Sequence, residues 1–168
     1  MIPGWRKAGR VIVEAGGVIA RLVVGGMFIY AGLNKALDPV GFLKLLRQYD
    51  LVHTPVVLNS IAAVLPWFEI FCGLLLVCGV GVRGSAVLLV TMLVPFTAIV
   101  LGRALELHAN AGIPFCAVKF DCGCGTGEVY ICSKLVENVL MTLLSVWLAC
   151  GYGRKFALRY NLFGLGDV

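Results

Sequence analysis

Charge is what this sequence has least of. Only 14% of its 168 residues are Asp, Glu, Lys or Arg, where a soluble domain carries about 25%. Histidine occurs twice, and 9 acidic residues face 14 basic ones for a formal charge of +5. With 60% of residues hydrophobic and a mean hydropathy of +0.96, a soluble globule is excluded, because roughly a third of its unfolded surface would stay exposed after folding. The cations are scattered over tails and connections and form no stripe, which excludes nucleic acid as a partner. A glycine-rich stretch is present but lacks the Lys-Ser/Thr that a phosphate loop needs. There is no internal repeat and no low-complexity segment. What remains is a chain whose solvent is the lipid bilayer.

The length then limits the design. A span takes about 20 apolar residues, so 168 residues hold four spans, short connections and one loop, in a single membrane domain covering 1–168. The first span is expected at about 11–37. Arg6, Lys7 and Arg10 before it resemble a signal-peptide n-region, but the run is too long, holds Glu14 and Arg21, and reads as a retained span. Asp38-Pro39 supplies an N-cap and a first-turn proline for a short helix to about Asp50. Its Val40, Phe42, Leu43, Leu45, Leu46 and Tyr49 oppose Lys44, Arg47 and Gln48, the pattern of a helix lying in the membrane interface. The other spans are expected at about 56–80, 85–107 and 135–152, with a tight turn at Gly81–Gly84 and one long loop at about 109–133. The fold class is all-α, an integral membrane four-helix bundle. Four spans put both termini on one side. Charge counts of seven (Arg6, Lys7, Arg10, Arg83, Arg154, Lys155, Arg159) against six (Lys35, Lys44, Arg47, Arg103, Lys119, Lys134) barely separate the faces. The cluster before the first span favours termini in the cytoplasm.

Seven cysteines form two populations. Cys72, Cys78 and Cys150 fall in spans, where cysteine is expected to serve as a small buried apolar side chain. Cys116, Cys122, Cys124 and Cys132 gather within 17 positions of the long loop. With cytoplasmic termini that loop faces the oxidising side, where disulfides form. A disulfide within Cys122-Gly123-Cys124 would close a small, strained and easily reduced ring, suited to electron exchange. Gly123, Gly125 and Gly127 supply the backbone freedom. Cys116 and Cys132 are then a second pair or resolving thiols. Purely structural bracing remains open, and four cysteines allow three pairings that spacing does not choose between. The C-x5-C-x-C-x7-C spacing matches neither zinc knuckles nor the usual iron–sulfur runs, so no metal is expected.

Two charges lie deep within spans. Counting from the loop-side ends, Arg21 is about 16 and Glu69 about 13 residues down, a difference of about 4–5 Å in depth, so the two are expected to meet. They form either a structural ion pair or part of a polar site for a proton or a quinone head group. Lys35 and Glu137 sit near the cysteine loop, where a cation would favour a thiolate. His53 and His108 map to the interface, which does not suit a haem between helices.

Together, Ala31-Gly32-Leu33-Asn34-Lys35, Asp38-Pro39, Phe42, Tyr49, Leu65-Pro66-Trp67-Phe68-Glu69, Gly73 and Asp121-Cys122-Gly123-Cys124-Gly125 resemble the MauE branch of the DoxX-like membrane proteins. The resemblance runs from about Arg21 to Leu148 and departs after Cys124, where Gly125-Thr126-Gly127 replaces an expected aromatic and glycine. It implies a four-helix bundle in the bacterial inner membrane with a periplasmic cysteine loop, and a role in forming disulfides in a periplasmic protein together with a thioredoxin-like partner. It carries the redox motif onto Cys122 and Cys124 and the buried charges onto Arg21, Lys35 and Glu69. The function expected is thus a component of membrane thiol–disulfide chemistry, with a quinone as electron acceptor. The alternative is a non-catalytic accessory subunit of a larger membrane redox or photosynthetic complex with structural loop disulfides.

Overall fold

The structure, a computed structural model, describes residues 4–49, 54–121, 128–152 and 157. Five helices carry the fold: α1 (Gly4–Leu37), α2 (Pro39–Gln48), α3 (Pro55–Cys78), α4 (Val82–Ala111) and α5 (Ile131–Ala149). All but α2 are long and apolar enough to cross a membrane. The buried and exposed faces are inverted relative to a soluble protein. Arg21, Lys35, Glu69, Ser85, Lys134, Asn138 and Ser145 are buried, while Leu22, Trp67, Phe71, Leu88, Val94 and Leu143 point outward. That arrangement is stable only where the surroundings are hydrocarbon.

The local signals explain the boundaries. Asp38 caps α2 by accepting the Gly41 N–H at 2.9 Å, and Pro39 occupies the first turn. α3 ends where Gly79 takes a left-handed conformation (φ 72°) and the Val80 N–H reaches back to the Leu75 carbonyl at 2.9 Å. Gly81 is also left-handed (φ 56°). The turn therefore lies at Gly79–Gly81 and not at Gly81–Gly84, because Val82 to Gly84 already form the first turn of α4.

α1 packs along α3 and α4 along α5, with α3–α4 and α1–α5 contacts closing the ring and α2 resting on α3 and α1. The first pairing depends on glycine. A Cβ on Gly25 would stand 2.7 Å from the Gly73 carbonyl, one on Gly73 2.7 Å from the Gly25 carbonyl, and one on Gly32 2.7 Å from that of Pro66. The two backbones thus touch over two turns, the close approach that small residues permit within membranes.

The long loop is more ordered than a connection need be. After α4 stops at left-handed Gly112, a 3-10 turn (Phe115–Ala117) leads to β1 (Lys119–Asp121), which pairs antiparallel with β2 (Glu128–Tyr130) in the register Phe120↔Val129. The Ile131 N–H donates to the Val118 carbonyl at 3.1 Å, joining the hairpin base to α5. α5 consequently starts at Ile131, four residues before the expected Leu135, because the second strand passes straight into it. Val118 and Ile131 pack with Val100 and Ala104, roofed by Phe96, Phe115 and Phe120, to form a cap over the ends of α4 and α5. At the opposite end Val24, Cys72, Leu76, Ala86, Leu89 and Leu148 form a separate core.

Candidate functional site

Between the cap and that core the two helix pairs part, leaving a cavity of about 630 Å³ bordered by all five helices. Most of the wall is Met, Phe, Leu and Ile, but four charged side chains, Lys35, Glu69, Lys134 and Glu137, converge there with Asn138, and Tyr30, Tyr49 and Thr91 complete the polar lining. A largely apolar cavity with a few placed polar groups has the general form of a small-molecule site.

Lys35 Nζ donates to both carboxylate oxygens of Glu69, at 2.5 and 2.7 Å, with the two side chains 7% and 8% exposed. The expected Arg21–Glu69 meeting is therefore corrected, and the Gly25–Gly73 and Gly32–Pro66 contacts explain why. They set the antiparallel register of α1 and α3, in which Lys35 lies within about 9 Å of the level of Glu69 while Arg21 lies about 12 Å or more beyond it. Side chains tilt toward a helix N-terminus. Lys35 thus leans into the membrane and Glu69 leans toward it, whereas Arg21 leans away. Arg21 is buried in α1 on the far side of this level and is not among the residues lining the cavity. The Phe42 ring of α2 lies 5.5 Å from Lys35 Nζ, so the interfacial helix covers the ion pair from above.

On the opposite wall, Lys134 Nζ donates to Glu137 Oε1 at 2.8 Å within α5. Lys35 and Glu137, both expected near the cysteine loop, are thus committed to other partners. Lys134 is the cation nearest in sequence to a loop cysteine. The buried residues of α5 are Ile131, Lys134, Asn138, Met141, Ser145 and Leu148, a 3–4–3–4–3 spacing that lines up one face. Three of the six are polar. Asn138 is 4% exposed and its Nδ2 has no hydrogen-bond partner among the described residues. The sequence reading missed Lys134 and Asn138 as site residues, although this polar face inside an apolar run was the available signal.

Of the four loop cysteines, Cys116 and Cys132 form a disulfide with Cα atoms 5.1 Å apart, joining the 3-10 turn to the first turn of α5. Cys122 and Cys124 lie outside the described residues. Cys72 is buried as expected, but Cys78 and Cys150 are exposed, because they stand at the last residue of α3 and the C-cap of α5, beyond the packed core. His108 Nδ1 lies 2.6 Å from the Ile113 carbonyl and its ring meets Phe115 edge-on, so it helps close α4 beneath the cap. Among the described residues no group of three or more His, Cys, Asp or Glu is gathered to hold a metal ion.

A family model described as methylamine utilisation protein MauE matches residues 13–151. No curated protein and no solved structure matches the chain.

Proposed function

Because this chain belongs to the MauE family, we propose that it is a membrane component of thiol–disulfide chemistry that serves the maturation of a periplasmic partner, with a membrane quinone as electron acceptor. The observation that carries the reading is the position of the Cys116–Cys132 disulfide. Cys132 precedes Asn138 by six residues of one helix, so the disulfide stands about 9 Å along the axis from the polar wall of the cavity. A redox-capable bond and a lipid-accessible pocket thus share one helix end.

In this scheme a dithiol of the partner, or of a thioredoxin-like protein acting for it, reduces a Cys122–Cys124 disulfide and is itself oxidised. The two electrons and two protons pass by thiol–disulfide exchange to Cys116–Cys132. That pair is reoxidised as the quinone becomes quinol, so each turn forms one disulfide in the partner and one quinol in the membrane. The driving force scales as about 1.4 kcal/mol per 30 mV of potential difference. The chain sits in the bacterial inner membrane with its termini in the cytoplasm and its loop in the periplasm, as a DoxX-like relative would.

The test is the redox state of the loop cysteines in isolated membranes, read by thiol-specific mass tags. The loop thiols should reoxidise when a quinone analogue is added, and Cys124→Ser should block maturation of the partner. A Cys124→Ser variant that leaves maturation intact but weakens assembly of a larger complex overturns the redox reading. It would favour the accessory-subunit alternative, for which the open space beside Gly26 and Gly102 offers close-packing positions.

A further inference from the structure

We infer that the cavity binds a neutral quinone-type head group, with the side-chain amide of Asn138 donating a hydrogen bond to one of its ring carbonyls. The inference rests on the redox reading above and names the residue that recognises the electron acceptor.

Three observations select this occupant. First, the cavity's four charged side chains are already balanced as Lys35–Glu69 and Lys134–Glu137. The wall has no net charge to offer an ionic lipid head group, so a neutral ligand is favoured. Second, Asn138 Nδ2 is a buried donor with no partner among the described residues, in a chain where every other polar group lining that face of α5 is bonded. An unmet amide donor costs free energy in an apolar site, and a ligand carbonyl removes that cost. Third, Pro95 has no N–H, so the Thr91 carbonyl lacks its α-helical donor, and both residues line the same cavity. The site thus presents a donor on α5 and, on α4, a helical turn whose carbonyl has lost its backbone donor. This combination serves a carbonyl in the oxidised ligand and a hydroxyl in the reduced one. A volume of about 630 Å³ holds such a ring with the first part of an isoprenoid tail.

The test uses the full chain in nanodiscs of quinone-free phosphatidylcholine. Decylubiquinone binding is measured by equilibrium partition, and an azido-quinone is photocrosslinked and mapped by mass spectrometry. Crosslinks should fall on α5 around Asn138 and on the facing wall of α3. Asn138→Leu should weaken binding about tenfold or more while leaving the Cys116–Cys132 disulfide and unfolding resistance intact, since it removes an unmet buried donor. Asn138→Gln, which keeps a donor, should recover part of the affinity. The inference is overturned if Asn138→Leu binds as the unsubstituted protein does. It is equally overturned if decanol competes as well as the quinone, which would mean that only the tail is recognised, or if phosphatidylglycerol displaces it. Loss of quinone binding in a protein whose loop cysteines still exchange with a partner rejects this site alone. Retained binding with inert cysteines rejects the redox reading alone.

Discussion

The two helix pairs of the bundle are held by opposite means. α1 and α3 meet backbone to backbone at Gly25 and Gly73 and are tied at membrane depth by Lys35–Glu69. α4 and α5 also pack along one another, and they are fastened at their loop-side ends by a hydrophobic cap and by the Cys116–Cys132 disulfide, which ties the turn after α4 to α5. The first arrangement is non-covalent and lies within hydrocarbon, where a lost partner has no water to turn to. The second is covalent and interfacial. The difference teaches where each pair tolerates change: the α1–α3 seam depends on contacts made within the helices, whereas the α4–α5 wall of the cavity carries a fastening outside them.

Breaking one member of the buried ion pair should have the largest effect. Glu69→Leu leaves the Lys35 ammonium buried without its carboxylate, and such a change costs about 3–5 kcal/mol. The double variant Lys35→Met with Glu69→Leu should recover most of that loss, because neither charge then remains to be solvated. Unfolding titrations in mixed micelles check both, and a double variant no better than the single would mean that the pair contributes more than charge compensation.

Opening the other fastening should cost less. Cys116→Ala or Cys132→Ala removes a crosslink with a sequence separation of 16, which the loop-entropy argument values at about 3 kcal/mol. The cap should nevertheless persist, because the Ile131–Val118 hydrogen bond and the packing of Val100 and Ala104 remain. Unfolding with and without reductant should give the same decrement in the unsubstituted protein and none in the variant. A cap that melts entirely on reduction would make these cysteines braces, since a redox pair has to survive its own reduced state.

Much of this comparison could be read in the sequence, and the parts that could not have a common cause. The apolar runs determine the crossing helices, and Asp38-Pro39 marks the start of α2. The partner of Glu69 was not legible by counting from span ends. The level at which two helices cross is decided by where glycines let them touch, and only Gly25 and Gly73 in contact reveal it. Spacing also left three pairings for the loop cysteines. The short hairpin joins Cys116 to Cys132 by bringing the turn before β1 against the helix after β2. Asn138 was legible and overlooked: its place with Lys134 and Ser145 on one face is a matter of spacing alone.

The seam itself gives a smaller effect. Gly25→Ala places a methyl 2.7 Å from the Gly73 carbonyl, and relieving that overlap by parting the backbones should cost about 1–3 kcal/mol. Gly26→Ala, one position along the same helix with nothing within 4 Å, should be neutral or slightly stabilising, since alanine favours helix by about 1 kcal/mol. Equal effects at both positions would remove the glycine contact as the origin of the α1–α3 register.

The smallest effect should come from the second ion pair, and it sharpens the contrast with the first. Lys134 and Glu137 belong to the same helix, so their bond joins no two elements, and the Glu137 side chain is 36% exposed. The Lys134 side chain is only 4% exposed, but its carboxylate partner meets the surroundings, and pairs at this spacing that are open on one side contribute about 0.2–1 kcal/mol. Lys134 also lies one turn from the start of α5 at the cap, where its long side chain can lift its ammonium toward the interface if the carboxylate is lost. Glu137→Gln should therefore lower unfolding resistance by about 1 kcal/mol or less, whereas Glu69→Gln in the same assay should approach the large cost of an uncompensated buried charge. The two substitutions are chemically identical, so the ratio of their effects isolates what membrane depth and an interhelical partner add to a lysine–glutamate bond. A ratio near one would mean that the two walls of the cavity do not differ in the way their fastenings imply.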